Sequence, residues 1–189
     1  MKKICIKIFF LKKNDLVIID IGANIGLFSL HVSDKAKSIY SIEPTPSHFD
    51  ILKELTQSKK NIFPMQCALN DSDKEVTLYL SQENSTMNSI ANRYGQQVKV
   101  KGIKLSSLLE TLSLNHVDFI KCDIEGSEVI ALTEETVGEV KDKVDAWFIE
   151  IHVTDGNGVG RNRWRIREVF EKNGYTVRDY DFDGLIITK

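Results

Sequence analysis

The ten residues from Val17 to Gly26 constrain the fold of this chain more than any other stretch. Their first half is rich in β-branched residues, which predicts a buried strand, and their second half is rich in small residues, which predicts a tight turn. The apolar residues Leu27, Phe28 and Leu30 then predict a helix. A strand, turn and helix in this order expose backbone N–H groups at the helix start, where a ligand can approach the main chain closely.

The spacing of the glycines in this turn argues against a dinucleotide site. The motif is Gly-x-Asn-x-Gly over Gly22, Asn24 and Gly26, whereas dinucleotide-binding turns carry Gly-x-Gly-x-x-Gly. Asn24 takes a place where glycine would be expected, and asparagine is one of the few residues that tolerate a positive φ. The turn therefore indicates either a site for a nucleotide-like cofactor or a plain strand-to-helix connection in an α/β domain.

The first third of the chain alternates between two patterns. Short β-branched runs are followed by stretches in which apolar residues recur at helical spacing. This order predicts a parallel sheet with right-handed crossovers. The strands are expected at residues 16–20, 38–42 and 62–67, and the helices at 25–33 and 46–58.

Residues 70–104 interrupt this alternation, because two runs of alternating apolar and polar residues predict an inserted antiparallel pair. The chain ends in two strands around Asp183-Gly184, a dipeptide typical of tight hairpins. We therefore expect one α/β domain over residues 1–189, with a mostly parallel sheet, a C-terminal antiparallel hairpin and helices on both faces. The other elements are expected at 105–112 (helix), 117–122 (strand), 127–136 (helix), 144–151 (strand), 162–173 (helix), and 175–180 and 185–188 (strands).

Composition narrows the classes of partner and compartment. The formal net charge is −2 over 189 residues, which gives no general attraction to nucleic acid. The cysteines Cys5, Cys67 and Cys122 are odd in number and widely spaced, so we expect no disulfide framework and favour a reducing, cytoplasmic compartment. No apolar run is long enough to span a bilayer, and nothing in the sequence sets the oligomeric state.

The first fifteen residues read as an N-terminal extension that superficially resembles a signal peptide. Lys7 interrupts their short apolar run, and no small-residue cleavage site follows. We therefore expect a first strand or a packing segment, and contact with an anionic membrane surface is the alternative.

Polar residues gather where the predicted strands end, although the strands themselves are almost wholly apolar. Ligands in sheets of this kind bind beyond the carboxyl ends of the strands. Glu43 comes 21 residues after Gly22, where a carboxylate could accept hydrogen bonds from both hydroxyls of a ribose. Alternatively, its charge favours the start of the next helix. The other polar residues at such ends are Asp20, Asn70, Asp71, Asp123, Glu125, Glu150 and His152.

Lys121, Asp123 and Glu125 occupy alternate positions, so they would share one side if the strand continued. A lysine near the end of a buried strand needs a partner or a ligand. The three residues could therefore serve catalysis, or Lys121 could pair with a carboxylate that merely stabilises the strand end. Glu150 and His152 alternate in the same way, and His152 is either a candidate base or a structural histidine.

A glycine-rich stretch follows His152. Gly156, Gly158 and Gly160 predict a mobile loop over residues 155–163. Because this loop comes directly after a candidate base, we expect it to fold over the bound substrate that receives the transferred group.

Taken together, these residues resemble the FkbM family of S-adenosylmethionine-dependent methyltransferases. The resemblance covers about residues 16–188, and its most particular segment is Lys-x-Asp-x-Glu-Gly-x-Glu over residues 121–128. The chain is similar to the family at residues 19–26, 42–44, 68–71, 88–89 and 120–128.

The resemblance implies a seven-stranded Rossmann-like methyltransferase sheet with one reversed strand. It implies S-adenosylmethionine as the cofactor and O-methylation of a sugar or another small natural product. By position, it implies that Gly22, Asn24 and Gly26 line the methionine part of the cofactor. Asp20 would help to hold the ammonium group, and Glu43 would hold the ribose.

The same resemblance implies that Ala68, Asn70 and Asp71 border the adenine. Methylation of an alcohol also requires a base that takes the hydroxyl proton within hydrogen-bond reach. The candidate catalytic residues are Lys121, which would hold the Asp123 carboxylate in place, and the three possible bases, Asp123, Glu125 and His152.

Other functions share parts of this pattern. A nicotinamide-dependent oxidoreductase would use the same strand, turn and ribose carboxylate, and a non-catalytic cofactor-binding domain could keep the same fold. A metal-assisted variant could use Asp123, Glu150 and His152, but no ligand spacing requires it, and we expect no metal. The fourth main strand lacks the Asn/Asp-Pro-Pro-Tyr pattern associated with amino methylation of nucleic-acid bases, which disfavours a nucleic-acid acceptor.

Overall fold

The computed structural model describes residues 14–80, 89–91, 95–154 and 158–189. Within those ranges the strands are β1 (Leu16–Ile21), β2 (Ala36–Ile42), β3 (Ile62–Met65), β4 (Ala68–Leu69), β5 (Glu75–Leu80), β6 (Gln96–Ile103), β7 (Val117–Cys122), β8 (Val144–Glu150), β9 (Thr176–Tyr180) and β10 (Gly184–Thr188). The helices are α1 (Leu27–Val32), α2 (Pro46–Thr56), α3 (Leu105–Thr111), α4 (Glu128–Ala131), α5 (Glu134–Gly138) and α6 (Val159–Lys172). The expectation for the N-terminal extension lies almost entirely outside the described residues.

Seven strands form the main sheet in the order β3-β2-β1-β7-β8-β10-β9. β1 pairs in parallel with β2 and β7, and β8 pairs in parallel with β7. β10 pairs antiparallel with both of its neighbours, so it is the reversed strand. The structure confirms the predicted fold class. The strand order reverses between β1 and β7, and the carboxyl edge at such a switch point is where α/β sheets bind ligands.

Helices cover both faces of this sheet because its central strands are apolar on both sides. In β1, Ile19 and Ile21 pack into the core that also contains residues of α3 to α6. Ile18 points to the opposite face, where it packs with Phe28 and Val32 of α1. The alternation of successive side chains along a strand therefore places one residue set under each helical layer.

A second sheet lies within residues 68–103, in the order β4-β6-β5. β5 and β6 pair antiparallel from Glu75↔Lys101 to Leu80↔Gln96, and β4 pairs in parallel with the end of β6. The small core of this sheet contains Ala68, Leu78 and Val100. The predicted third strand to residue 67 is therefore too long: β3 ends at Met65, and the chain then enters the second sheet at β4.

Two predicted helices have different bounds in the structure. The helix expected over 127–136 is two short helices, because Thr133 caps the second one: its hydroxyl accepts from the backbone N–H of Thr136, whose own side chain accepts from the N–H of Thr133. The last helix begins at Val159 rather than at residue 162. Residues 159–163 of the expected mobile loop are therefore the first turn of α6, and residues 155–157 lie outside the described residues.

The final hairpin lies where the sequence predicts it, but its last strand begins one residue earlier, at Gly184 instead of residue 185. Gly184 is already part of β10, paired with Tyr180, and the turn is made by residues 181–183, with Asp181 at φ 59°. A Cβ atom on Gly184 would meet the Tyr180 carbonyl oxygen at 2.5 Å. The glycine therefore serves the close packing of strands, and an aspartate in the left-handed region makes the turn. No helix in the described part of the chain combines the length and apolarity needed to cross a bilayer.

Candidate active site

A cavity of about 390 Å³ opens at the carboxyl edge of the main sheet, beside the switch point between β1 and β7. This volume lies within the range of small-molecule sites. Its walls are the segments that follow β1, β2 and β7, together with residues of the second sheet. The predicted site residues that line it are Gly22, Asn24, Glu43, Ala68, Lys121, Asp123 and Glu125.

The turn after β1 is fixed by the strands on either side of it. The N–H groups of Gly22 and Ala23 both donate to the carbonyl of Ile42, at 3.0 and 2.9 Å. Asn24 has φ 52°, and its Oδ1 accepts from the N–H of Ile25 at 2.8 Å. An asparagine therefore does here what a glycine would do in other turns of this type. The turn presents Gly22 and Asn24 to the cavity.

The third residue of this motif, Gly26, is not among the residues that line the cavity, and its contact with a cofactor stays a prediction. It precedes α1 with φ 87°, and a Cβ atom there would lie 2.5 Å from Leu52 Cδ1. Gly26 is needed because α1 and α2 approach each other closely at this point. Its role is packing behind the turn.

Glu43 is held by the backbone on both of its oxygens. Oε2 accepts from the N–H of Asn24 at 2.8 Å, and Oε1 accepts from the N–H of Thr45 at 2.8 Å. The His48 Nδ1 atom lies 3.8 Å from Oε1. Because a carboxylate oxygen accepts more than one hydrogen bond, Glu43 keeps acceptor capacity toward the cavity. Thr45 precedes α2, so the ribose role and the helix-start role expected for Glu43 are compatible.

Asp20 is not among the residues that line the cavity, and its contact with the ammonium group of the cofactor stays a prediction. Its side chain is fully buried. Oδ2 accepts from the Ser29 hydroxyl at 2.7 Å, and Oδ1 lies 3.5 Å from Lys121 Nζ. Burial raises the pKa of Asp20, and the Lys121 charge opposes that shift. Asp20 therefore stabilises the interior behind the turn.

Asn70 and Asp71 are also not among the residues that line the cavity, and their place beside the adenine stays a prediction. The backbone N–H of Asn70 donates to Ile103 at 2.9 Å, and its side-chain amide donates to Ser72 at 3.2 Å. Asp71 is exposed and accepts from the Ser72 hydroxyl. These residues carry the chain from β4 toward β5 within the second sheet. Ala68 and Leu69 just before them do line the cavity.

Lys121 joins the turn after β1 to the end of β7. Its Nζ lies 3.2 Å from Asp123 Oδ2 and donates to the Gly22 carbonyl at 3.3 Å. Burial alone would lower the pKa of Lys121, but the charges of Asp123 and Asp20 outweigh it and raise the pKa above its usual range. Lys121 therefore remains a cation between two carboxylates.

His152 follows β8 and meets carboxylates on both of its ring nitrogens. Nδ1 lies 2.9 Å from Glu128 Oε1, and Nε2 lies 3.6 Å from Asp123 Oδ1 and 3.7 Å from Glu125 Oε2. Burial would lower the pKa of His152, but the hydrogen bond and charge of Glu128, with the charges of Glu125 and Asp123, raise it to about 9. The imidazole itself is not among the groups that line the cavity.

Glu125 sits in a strained loop after β7. Its φ is 53°, and that of Gly126 is 93°. The Ser89 hydroxyl donates to the Glu125 carbonyl at 2.6 Å, and the N–H of Ile90 donates to Ser127 Oγ at 3.3 Å. Burial raises the pKa of the Glu125 carboxyl to about 7, and His152 opposes this shift. A carboxyl group that titrates near neutrality beside a cavity is typical of a catalytic acid or base.

The fold and this site define a Rossmann-like α/β domain with a small-molecule cavity at the switch point of its sheet. The chain belongs to the FkbM methyltransferase family, whose domain model matches residues 20–177. This confirms the resemblance that the sequence motifs indicated.

Individual relatives agree with this placement. The chain is 26% identical to Methyltransferase 1 of Beauveria bassiana in an alignment 144 residues long. The alignment covers 63% of this chain and 58% of that protein. Methyltransferase FkbM from Methylobacillus flagellatus superposes with a TM-score of 0.60 at 16% identity, over 93% of this chain and 44% of that one. Fibrillarin of Aeropyrum pernix, in complex with S-adenosyl-L-methionine, superposes with a TM-score of 0.56 at 15% identity, over 93% and 66%. This chain thus spans little more than half the length of its curated relative.

The sequence patterns assigned no role to several polar residues that the structure places at the site. His48 and Ser89 line the cavity, and Glu128 contacts His152 from behind. Ser89 and Glu128 both belong to the segments that resemble the family, but neither had a role assigned to it. Glu128 is the first residue of α4, and an acidic residue is common at a helix start. The sequence pattern therefore gives no sign of its contact with His152.

Proposed function

We propose that this protein transfers a methyl group from S-adenosylmethionine to a hydroxyl group of a small acceptor, such as a sugar or another natural product. The observation that carries the proposal is the shared cavity. It joins the turn after β1 and Glu43, which suit the cofactor, to Asp123 and Glu125, which suit the acceptor hydroxyl. The strand order β2-β1-β7-β8 arranges these groups along one edge.

The residues of the cavity fit the parts of the cofactor. The free acceptor capacity of Glu43 suits the ribose hydroxyls, and His48 lies beside that carboxylate. Ala68, Leu69 and Leu78 offer an apolar wall suited to adenine. The main chain of Gly22 and Asn24 suits the methionine part. When bound, the cofactor supplies a methyl group activated by the sulfonium charge.

The carboxylates of the cavity are suited to managing the acceptor proton. As the hydroxyl oxygen bonds to the methyl carbon and the carbon–sulfur bond breaks, the hydroxyl proton passes to Glu125. Its pKa of about 7 leaves a useful fraction ionised at neutral pH, as general-base catalysis requires. Asp123, held by Lys121 at 3.2 Å, orients the hydroxyl. Holding two reactants in line contributes about 7–11 kcal/mol to such reactions.

The proposed acceptor and compartment rest on separate observations. The loop after β7 reads Asp-Ile-Glu-Gly over residues 123–126, which lacks the proline and tyrosine of enzymes that methylate base amino groups. The net charge of −2 gives no general attraction to a nucleic-acid backbone. Cys67 and Cys122 are free and buried, which suits a reducing compartment such as the cytoplasm.

Two measurements test the proposal. Isothermal titration with S-adenosylmethionine and with NAD should give binding for the former alone, because the turn lacks the dinucleotide spacing. A screen of hydroxylated sugars and glycolipid precursors should then give a product heavier by one methyl group in place of a hydrogen. Binding of NAD instead would favour an oxidoreductase. Cofactor binding without transfer to any hydroxyl acceptor would favour a non-catalytic domain.

A further inference from the structure

Glu128 is a buried carboxylate that the proposed reaction does not use. It is the first residue of α4, and only 1% of its surface is exposed. Its Oε1 accepts from the backbone N–H of Ile124 at 3.1 Å and lies 2.9 Å from His152 Nδ1. Burying a carboxylate is costly unless it is paired. Glu128 therefore needs a proton on Nδ1 of His152.

The opposite side of the imidazole also faces carboxylates. His152 Nε2 lies 3.6 Å from Asp123 and 3.7 Å from Glu125. An ionised carboxylate can accept hydrogen bonds but cannot donate them. A histidine with a carboxylate at each nitrogen is best satisfied when both nitrogens carry protons. We propose that Glu128 is a positioning residue that keeps His152 as an imidazolium, with Nδ1–H donated to Glu128 and Nε2–H turned toward Asp123 and Glu125.

The charges around the ring agree with this assignment. Asp123 and Glu125 face it from the loop after β7, Glu128 from α4, and Glu150 lies on the strand that leads to it. The Lys121 ammonium pairs with the other oxygen of Asp123. The side-chain amide of Asn162 on α6 donates to the His152 carbonyl at 2.8 Å and so fixes the backbone without adding charge. The protonated form is thus favoured from three elements, in line with the raised pKa of His152.

This inference rests on the proposed function, because its catalytic consequence requires that Glu125 take the acceptor proton. The imidazolium offsets the negative charge of Asp123 and Glu125 and holds both carboxylates toward the cavity. Loss of its proton would leave three carboxylates around a neutral ring. We therefore expect turnover to fall as the pH rises through the pKa of His152, and Glu128 to set the pH at which this happens.

The test substitutes Glu128→Gln in the full chain, which keeps the shape and an acceptor for Ile124 but removes the charge. Nitrogen-15 NMR of the His152 ring, titrated without an acceptor, should show its pKa falling from about 9 by at least one unit, a tenfold loss of proton affinity. The alkaline limb of the pH profile of kcat should shift to lower pH by a similar amount. Glu128→Asp, which restores the charge, should recover part of the shift. Glu139→Gln, at a surface carboxylate, is the matched control and should leave both measurements unchanged.

The two readouts separate the two hypotheses. If the His152 pKa is unchanged in a variant that still binds S-adenosylmethionine and keeps its circular dichroism spectrum, the role of Glu128 is overturned. If Glu128→Gln cannot be folded, Glu128→Asp must shift the pKa of His152 relative to the native chain, and an unaltered value overturns the proposal. If the pKa of His152 shifts but the alkaline limb of the kcat profile does not move, the catalytic role of the imidazolium is refuted. The proposed transfer of the acceptor proton to Glu125 beside His152 is then refuted as well.

Discussion

The backbone of Gly22 lies directly against that of Asp123: a Cβ atom on Gly22 would meet the Asp123 carbonyl oxygen at 1.8 Å. The N–H of Asp123 in turn donates to Ile21 at 3.0 Å. The turn suited to the methyl donor and the loop suited to the acceptor are therefore in contact through the main chain. The distance between the two reactants is set where β1 and β7 end.

Substituting Gly22→Ala should disrupt this contact. The new methyl group would push the Asp123 backbone away, and the φ of 77° would add strain of about 1–3 kcal/mol. We expect S-adenosylmethionine affinity to fall at least tenfold by isothermal titration. Gly160→Ala is the control, because a Cβ atom there meets nothing within 4 Å, and its affinity should be native. Native affinity in a folded Gly22→Ala chain would mean that this turn does not hold the cofactor.

Glu43→Ala should weaken cofactor binding by about 1.5–3 kcal/mol, the scale of hydrogen bonds to a charged group. The physical reason is the loss of two fixed carboxylate oxygens beside the cavity. Because the N–H groups of Asn24 and Thr45 also lose their acceptor, the melting temperature should drop as well. Titration with S-adenosylmethionine on the folded fraction separates the two effects. Unchanged affinity there would refute the assignment of Glu43 to the ribose.

Glu125→Gln should lower turnover by a factor of about 10²–10⁴, the range for removal of a general base, while cofactor affinity stays native. In the native chain, turnover should rise with pH through about 7, because ionised Glu125 is the form that accepts a proton. It should fall again through about 9, where His152 loses its charge. Glu139→Gln, at a surface carboxylate that does not line the cavity, is the control. A Glu125→Gln variant that keeps the acid limb near 7 would assign that limb to another group.

Asp123→Asn should reduce turnover by about 10²-fold, the cost of a misplaced reactant. The variant keeps the shape of the side chain, and Lys121 still lies 3.5 Å from Asp20, so the melting temperature should stay nearly native. Steady-state kinetics, cofactor titration and thermal melting on one preparation provide the comparison. A large drop in melting temperature with normal turnover of the folded fraction would show that Asp123 serves the strand end alone.

Removal of metal ions should leave turnover unchanged. Asp123, Glu125 and His152 each offer a ligand atom, all within 4.8 Å of one another, which is a spacing that a cation could bridge. Lys121 already pairs with Asp123, however, and a protonated His152 has no nitrogen lone pair to give. Activity should therefore be equal with and without a chelator. Loss of activity with a chelator, restored by Mg²⁺ or Mn²⁺, would reveal a metal at these three residues.

The sequence predicted the sheet, its order of helices and strands, and the edge that carries the site, because periodicity and strand ends are local signals. It could not indicate contacts between residues that are distant in the chain. Asp20 faces the interior because of Ser29 and Lys121, and Gly26 is dictated by Leu52 of α2. Such contacts between distant segments leave no spacing pattern.

The sequence could predict only part of the chemistry of the cluster around His152. Asp123, Glu125 and His152 could be named as candidates from their positions at strand ends. Which residue accepts a proton could not be named, because the pKa values of Glu125 and His152 depend on burial and on neighbouring charges. One of those charges is Glu128, which lies 24 residues from His152 in the chain. Only the assembled edge of the sheet distinguishes the carboxyl that titrates near 7 from the imidazole that stays charged.

Ser89 holds residue 125 by its main-chain carbonyl and makes no contact with the carboxyl group in that bond. This bond therefore fixes the backbone of the proposed proton acceptor independently of its side chain. A descendant of this protein could exchange residue 125 for another acceptor without losing the frame that aims it. The left-handed φ at that residue narrows the exchange, since asparagine and aspartate adopt it more readily than most residues. New acceptor preferences could therefore evolve by substitution at residue 125, but only a few residue types suit its backbone conformation.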